Sequence, residues 1–103
     1  MFVAVAIYTI RPEHIDAFQR RVRVHAATCL REEKGCVAFE INRSVDDPSV
    51  FLMHEVYRSA DDFAAHGRTP HLAEFLADRD RGGWLAERIV YRLDRMQADE
   101  ASA

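Results

Sequence analysis

Glycine, proline and cysteine are scarce in this 103-residue chain, at four, three and two residues. No Pro- or Gly-rich linker divides it, and no internal repeat or low-complexity segment is present, so the length leaves room for one domain. The two cysteines, Cys29 and Cys36, stand seven apart. That spacing is neither a C-x-x-C redox motif nor half of a zinc site, and a secreted disulfide scaffold would carry more of them. A cytoplasmic protein with reduced thiols is expected. Long apolar runs are also missing. Phe2–Ile10 falls far short of the roughly 20 residues a membrane-spanning helix needs, so no membrane partner is expected. The 14 basic and 17 acidic residues are spread along the chain for a net charge of −3. Arg20, Arg21 and Arg23 read as the wet face of a helix, so no nucleic-acid partner is expected either. There is no G-x-G-x-x-G, P-loop, G-x-S-x-G or H-E-x-x-H motif. His66 and His71 lie five apart across a proline, which is poor spacing for one helical face, so neither a metal nor another cofactor is expected.

What the chain does have is 49% apolar residues, ordinary for a folded domain. Phe2–Ile10 is apolar at nearly every position and reads as a strand buried on both faces. Pro12-Glu13 starts a helix, and Ile15, Phe18, Val22, Ala26 and Cys29 recur at helical spacing until Gly35. Cys36–Val45 and Val50–Tyr57 read as strands joined by the turn cluster Asp46-Asp47-Pro48-Ser49. Ser59 caps a short helix closed by Gly67. Thr69-Pro70 starts another, with Leu72, Phe75 and Leu76 on its inner stripe. After Gly82-Gly83, Trp84–Leu93 reads as the last strand, with Ile89, Tyr91 and Leu93 on one face. Residues 97–103 read as a disordered tail beyond a domain over 1–96. The order β-α-β-β-α-β predicts an α+β fold, an antiparallel sheet with its helices on one face. Strand Val50–Tyr57 is apolar on both sides, so the face that the helices leave bare needs a second copy, and a homodimer is expected.

Five histidines are many for this length. His25 lies inside the apolar stripe of the long helix. Glu55 shares a strand face with Phe51, Met53 and Tyr57, where a carboxylate must find a partner or neutralise. His66 ends one helix and His71 begins the next, the rim of a plausible pocket. Imidazoles exchange protons near neutral pH. His25, Glu55, His66 and His71 are therefore candidate catalytic residues. Phe39, Tyr57, Phe63 and Phe75 are candidate aromatic walls for a substrate. Each also has a plain structural reading: a core imidazole held by one hydrogen bond, an ion pair that tethers a helix, or aromatic core packing. That applies to His54 as well.

Glu33-Lys34-Gly35-Cys36-Val37-Ala38-Phe39-Glu40 resembles an E-x-G-c-x-x-f/y-e segment. Phe51–Tyr57 resembles an f-x-l-x-E-x-w/y strand, and Ala65-His66 followed by Thr69-Pro70-His71 and Phe75 resembles a-H-x-x-t-p-H-x-x-x-F. In this order they resemble the antibiotic biosynthesis monooxygenase family, from about Phe2 to Met96. Lys34 stands where many members have Pro, and Tyr57 where Trp is common. The resemblance implies a ferredoxin-like dimeric α+β barrel with a pocket between helices and sheet. It implies oxygenases that oxidise quinols or aromatic polyketides without metal or flavin. Other branches degrade haem, through an Asn and a Trp that cannot both be placed here, or isomerise a phosphorylated signalling sugar.

The expectation is a cofactor-independent monooxygenase acting on a small electron-rich, quinol-like aromatic with O₂. An isomerase or enoliser of a small polar or phosphorylated metabolite is the alternative. It would need arginines in the pocket, and Arg43 and Arg68 are the nominees. A non-catalytic ligand-binding dimer is the third reading, supported if Phe18, Phe39, Phe63 and Phe75 fill the pocket themselves.

Overall fold

The computed structural model describes residues 1–96; the expected tail from residue 97 lies outside them. Strand β1 (Phe2–Ile10) leads through a 3-10 turn at Pro12–His14 into helix α1 (Ile15–Glu32). Strands β2 (Cys36–Arg43) and β3 (Val50–Tyr57) follow, then helices α2 (Ala60–His66) and α3 (Pro70–Arg81), and finally β4 (Leu85–Asp94). The elements are those expected from sequence, with the second helical region split in two. β2 ends two residues earlier than its apolar pattern suggests. There Ser44 turns the chain, its hydroxyl accepting the N–H groups of Asp46 and Asp47.

The four strands form one antiparallel sheet in the order β2-β3-β1-β4. It is open rather than closed, so a single chain makes a ferredoxin-like α+β layer and not a barrel. Successive side chains of a strand face opposite ways, which sorts the sheet's two sides. Ala4, Ala6, Tyr8, Phe51, Met53, Glu55 and Tyr57 face the helices and are buried. Phe18 of α1 sits at the centre of this layer, its ring 4.9 Å from Phe51 and 5.9 Å from Tyr8. Phe18, Val22, His25, Ala26 and Cys29 form the buried stripe of α1, the 3.6-residue periodicity seen in the sequence.

Strand β4 has its polarity reversed. The cross-strand pairs Ala4↔Arg92, Ala6↔Val90 and Tyr8↔Arg88 place Arg88, Val90 and Arg92 on the helix side. Ile89, Tyr91 and Leu93 therefore lie on the open side, exposed by 41, 51 and 43%. They extend an apolar surface with the half-buried Val5, Ile7 and Leu52. Gly83, between α3 and β4, has φ +64°, a left-handed turn conformation that glycine adopts without steric cost.

Candidate active site

Three helix ends meet where Glu33, His66 and His71 come together. The chain leaves α1 at Glu33, whose backbone is already extended. A carboxylate at a helix C-terminus opposes the helix dipole, so Glu33 needs donors, and the α2–α3 junction supplies them. His66 Nδ1–H donates to the Glu33 carboxylate at 2.9 Å, and His71 Nε2–H donates to its Oε2 at 2.5 Å. Burial works against the charge on Glu33, but these hydrogen bonds outweigh it and hold its carboxyl below the usual glutamate range.

Thr69 fixes the junction. As N-cap of α3 its hydroxyl oxygen accepts the Leu72 N–H at 3.3 Å, while its own O–H donates to the His66 carbonyl at 2.9 Å. One side chain thus ties the end of α2 to the start of α3, and the six residues His66–His71 present two imidazoles to one carboxylate. Ser59 caps α2 by accepting the Asp62 N–H.

Beyond His66 lies Glu55. Burial pushes its carboxyl up, while the Tyr57 hydroxyl donates to it at 2.6 Å and the His66 ring favours its charge. His66 Nε2 stands 3.9 Å from Glu55 Oε1, too far for a hydrogen bond. With its Nδ1–H committed to Glu33, a neutral His66 carries its lone pair on Nε2. That atom has no hydrogen-bond partner among the described residues.

A cavity of about 570 Å³ opens beside it, between the β1/β4 side of the sheet and α2–α3. Its floor is Ala4 and Ala6, whose small side chains leave the space open, and Phe63, Leu72 and Leu76 form apolar walls. Its polar groups are Tyr8, Glu55, His66, Arg88 and Arg92. The Tyr8 oxygen accepts Arg79 Nη1–H at 3.0 Å. Burial raises the Tyr8 hydroxyl above the ordinary tyrosine value despite that guanidinium, so it keeps its proton. A smaller cavity of about 40 Å³ shares Ala6, Tyr8, Glu55, His66 and Leu72 with the larger one and reaches His25, Phe39 and Phe75.

The eight nominated residues therefore fall into three settings. Glu55, His66 and Phe63 line the large cavity. His25, Phe39 and Phe75 line the small one, with His25 stacked on Phe75 at 4.2 Å. Burial, reinforced by His66 and His71, lowers His25 to about 3, so its ring is neutral. His71 and Tyr57 line neither cavity, and each touches a residue that does or that holds one: His71 through Glu33, Tyr57 through Glu55. His54 lies on the open face of the sheet, paired with Glu40 at 3.0 Å. The two nominated arginines lie elsewhere. Arg43 bonds the Pro48 carbonyl and packs over Phe51, and Arg68 is an exposed residue of the α2–α3 turn. Arg88 and Arg92, which sequence reasoning missed, are the arginines of the cavity. The alternation of β4 carried the signal, since its apolar residues leave Arg88 and Arg92 to the other face. Glu33 and Tyr8 were missed as well.

The side chains of Cys29, Glu33, His66 and His71 bring donor atoms within 4.8 Å of one another. Sequence spacing could not show this, because the four come from three elements. Such a set is chemically able to take zinc. Here the two imidazole N–H groups and the carboxylate satisfy each other, and burial holds the Cys29 thiol protonated, with Glu33 adding to the effect.

A model of the antibiotic biosynthesis monooxygenase family matches residues 1–78. No match was found among curated proteins. Among solved structures, a Nitrosomonas europaea protein named for this family is 30% identical, with a TM-score of 0.82 over 94% of this chain and 100% of its own. A Pseudomonas aeruginosa protein is 26% identical, with a TM-score of 0.81 over 93% of this chain and 94% of its own. A Caulobacter crescentus protein, also named for the family, is 25% identical, with a TM-score of 0.85 over 93% and 90%. Family model, open antiparallel sheet and helix-covered cavity agree, and the chain belongs to the antibiotic biosynthesis monooxygenase family.

Proposed function

We propose that the protein is a cofactor-independent monooxygenase that oxidises an electron-rich, quinol-like aromatic with O₂, and that it works as a homodimer. One observation carries the reading: an imidazole hydrogen-bonded through Nδ1 to a buried carboxylate, its Nε2 without a partner among the described residues, lines a largely apolar cavity large enough for an aromatic substrate.

The chemistry asks little of the protein. His66 Nε2 takes a phenolic proton, and the resulting anion is rich enough in electrons to reduce O₂. The ring carbon ortho to the oxygen bonds to O₂, and the peroxide oxygen takes a proton to give a hydroperoxide. Loss of the remaining proton on that carbon breaks the O–O bond, leaving a carbonyl and water. For a hydroquinone the sum is quinol plus O₂ giving a hydroxyquinone plus water. The substrate supplies all the electrons, one oxygen atom enters the ring and the other leaves as water. Tyr8, kept protonated by burial, is the donor for the developing oxyanion. The apolar walls exclude water from the anion and the peroxide.

The test is O₂ uptake with a panel of quinols, comparing wild type with His66→Ala. Wild-type uptake that falls by about 10²-fold or more in the variant is expected for loss of a positioned base. Equal rates would remove His66 from the mechanism, and no uptake with any quinol would overturn the reaction class.

A further inference from the structure

We propose that Arg88 and Arg92 form an anion-binding subsite in the cavity, so that the substrate is an aromatic bearing a carboxylate. The aromatic part rests on the reading above; the anionic part stands on β4 itself.

An edge strand that packs only within its own chain turns apolar residues toward the core and polar ones outward. β4 does the reverse. Its register against β1 sets Arg88 beside Tyr8 and Arg92 beside Ala4, both on the side of the cavity. Their positions are about 13 Å apart along the strand, flanking Val90. Among the described residues neither forms an ion pair or a side-chain hydrogen bond. Among the described residues, the one carboxylate on the cavity wall is Glu55, which is bonded by Tyr57 and pushed by burial toward its neutral form.

The cavity thus has two ends of different chemistry. His66 and Glu55 sit at one, suited to proton transfer. On the β4 wall sit two guanidiniums with no ion pair among the described residues, with apolar surface between. Guanidinium binds carboxylate through paired, charge-assisted N–H···O bonds. An aromatic acid would span this layout, its carboxylate on β4 and its hydroxyl at His66. The binding energy gained at the acid would then orient the ring for reaction.

The experiment compares 2,5-dihydroxybenzoate with unsubstituted hydroquinone, which differ by the carboxylate. Calorimetric binding without O₂ measures the subsite apart from turnover, for wild type and for Arg88→Gln/Arg92→Gln, whose exposed side chains leave the core untouched. Wild type is expected to bind the acid at least about tenfold more tightly. The double variant should lose that preference while binding hydroquinone unchanged, and Arg92→Lys should restore part of it. Equal affinities in wild type, or a preference that survives the double substitution, would overturn the subsite. O₂ uptake separates the two proposals. Arginine-dependent binding of the acid without oxidation of any quinol keeps the subsite and removes the reaction. Oxidation of both compounds with equal affinity does the opposite.

Discussion

Glu33 decides what His66 can do. Its carboxylate accepts the Nδ1–H of His66, which leaves Nε2 as the acceptor facing the cavity. Replacing Glu33 with Gln keeps the shape but gives His66 an amide that can donate as well as accept. Nitrogen NMR should show one His66 tautomer, protonated at Nδ1, in wild type and a mixture in Glu33→Gln. A single unchanged tautomer would mean that something else orients the ring. His25 gives a second test. Its folded value of about 3 lies below the unfolded value of about 6.5. The unfolded chain therefore binds the proton first as pH falls. The stability from keeping His25 neutral is whole above about pH 6.5 and lost progressively down to about pH 3. Between pH 7 and pH 5 that loss amounts to about 2 kcal/mol. Urea unfolding at the two pH values should show a loss larger in wild type than in His25→Leu by roughly this amount, and equal changes would show that burial does not depress His25. Glu55 stood out in the sequence because it interrupts an apolar strand face, and His66 because it ends a helix just before the Gly67–Pro70 break. Glu33 did not, because it follows Arg31 and Glu32 and precedes Lys34, a charged run that reads as a solvated helix end.

At the scale of elements, the site depends on a junction rather than on any helix by itself. α2 has only seven residues, too few to be stable alone, so its direction is set by what its ends are tied to. Thr69 holds it to α3 through two hydrogen bonds. Thr69→Ala removes an N-cap worth about 1 kcal/mol, a melting temperature lower by about 4–8 °C for a domain of this size. Because the same hydroxyl bonds the His66 carbonyl, amide exchange should quicken at residues 66–72 before it does in the sheet. Uniform exchange across the molecule would reduce Thr69 to an ordinary cap. The Ser/Thr caps, the Pro at position 70 and the Gly pair before β4 made these boundaries readable from sequence. Which aromatic rings fill the core and which line the cavity was not readable. Phe39, Phe63 and Phe75 recur at equally good apolar positions. Only the register that puts Ala4 of β1 opposite Arg92 and Ala6 opposite Val90 decides where the space opens.

For the molecule as a whole, the question is what the sheet's open face does. The helices cover one side, and the other presents Val5, Ile7, Leu52, Ile89, Tyr91 and Leu93 as one surface across three strands. Contiguous apolar surface of this kind marks an interface. Among the described residues its charged pair, His54 with Glu40, lies toward the β2 edge. The two-sided apolar pattern of β3 made this face legible before any coordinates, since residues 51, 53 and 57 alternate with 52 and 56. A second copy related by a two-fold axis would bury the same residues from both chains, as an isologous interface requires. Wild type should therefore sediment at twice the 11.8 kDa chain mass across micromolar concentrations. Tyr91→Glu would set a carboxylate between Ile89 and Leu93 on that face, where burying it unpaired costs several kcal/mol. The variant should sediment as a single chain with a lower melting temperature. Because Tyr91 faces away from the cavity, the tautomer of His66 should not change. A wild-type protein that sediments as one chain at every concentration would refute the homodimer and leave the histidine–glutamate site as a property of the single domain.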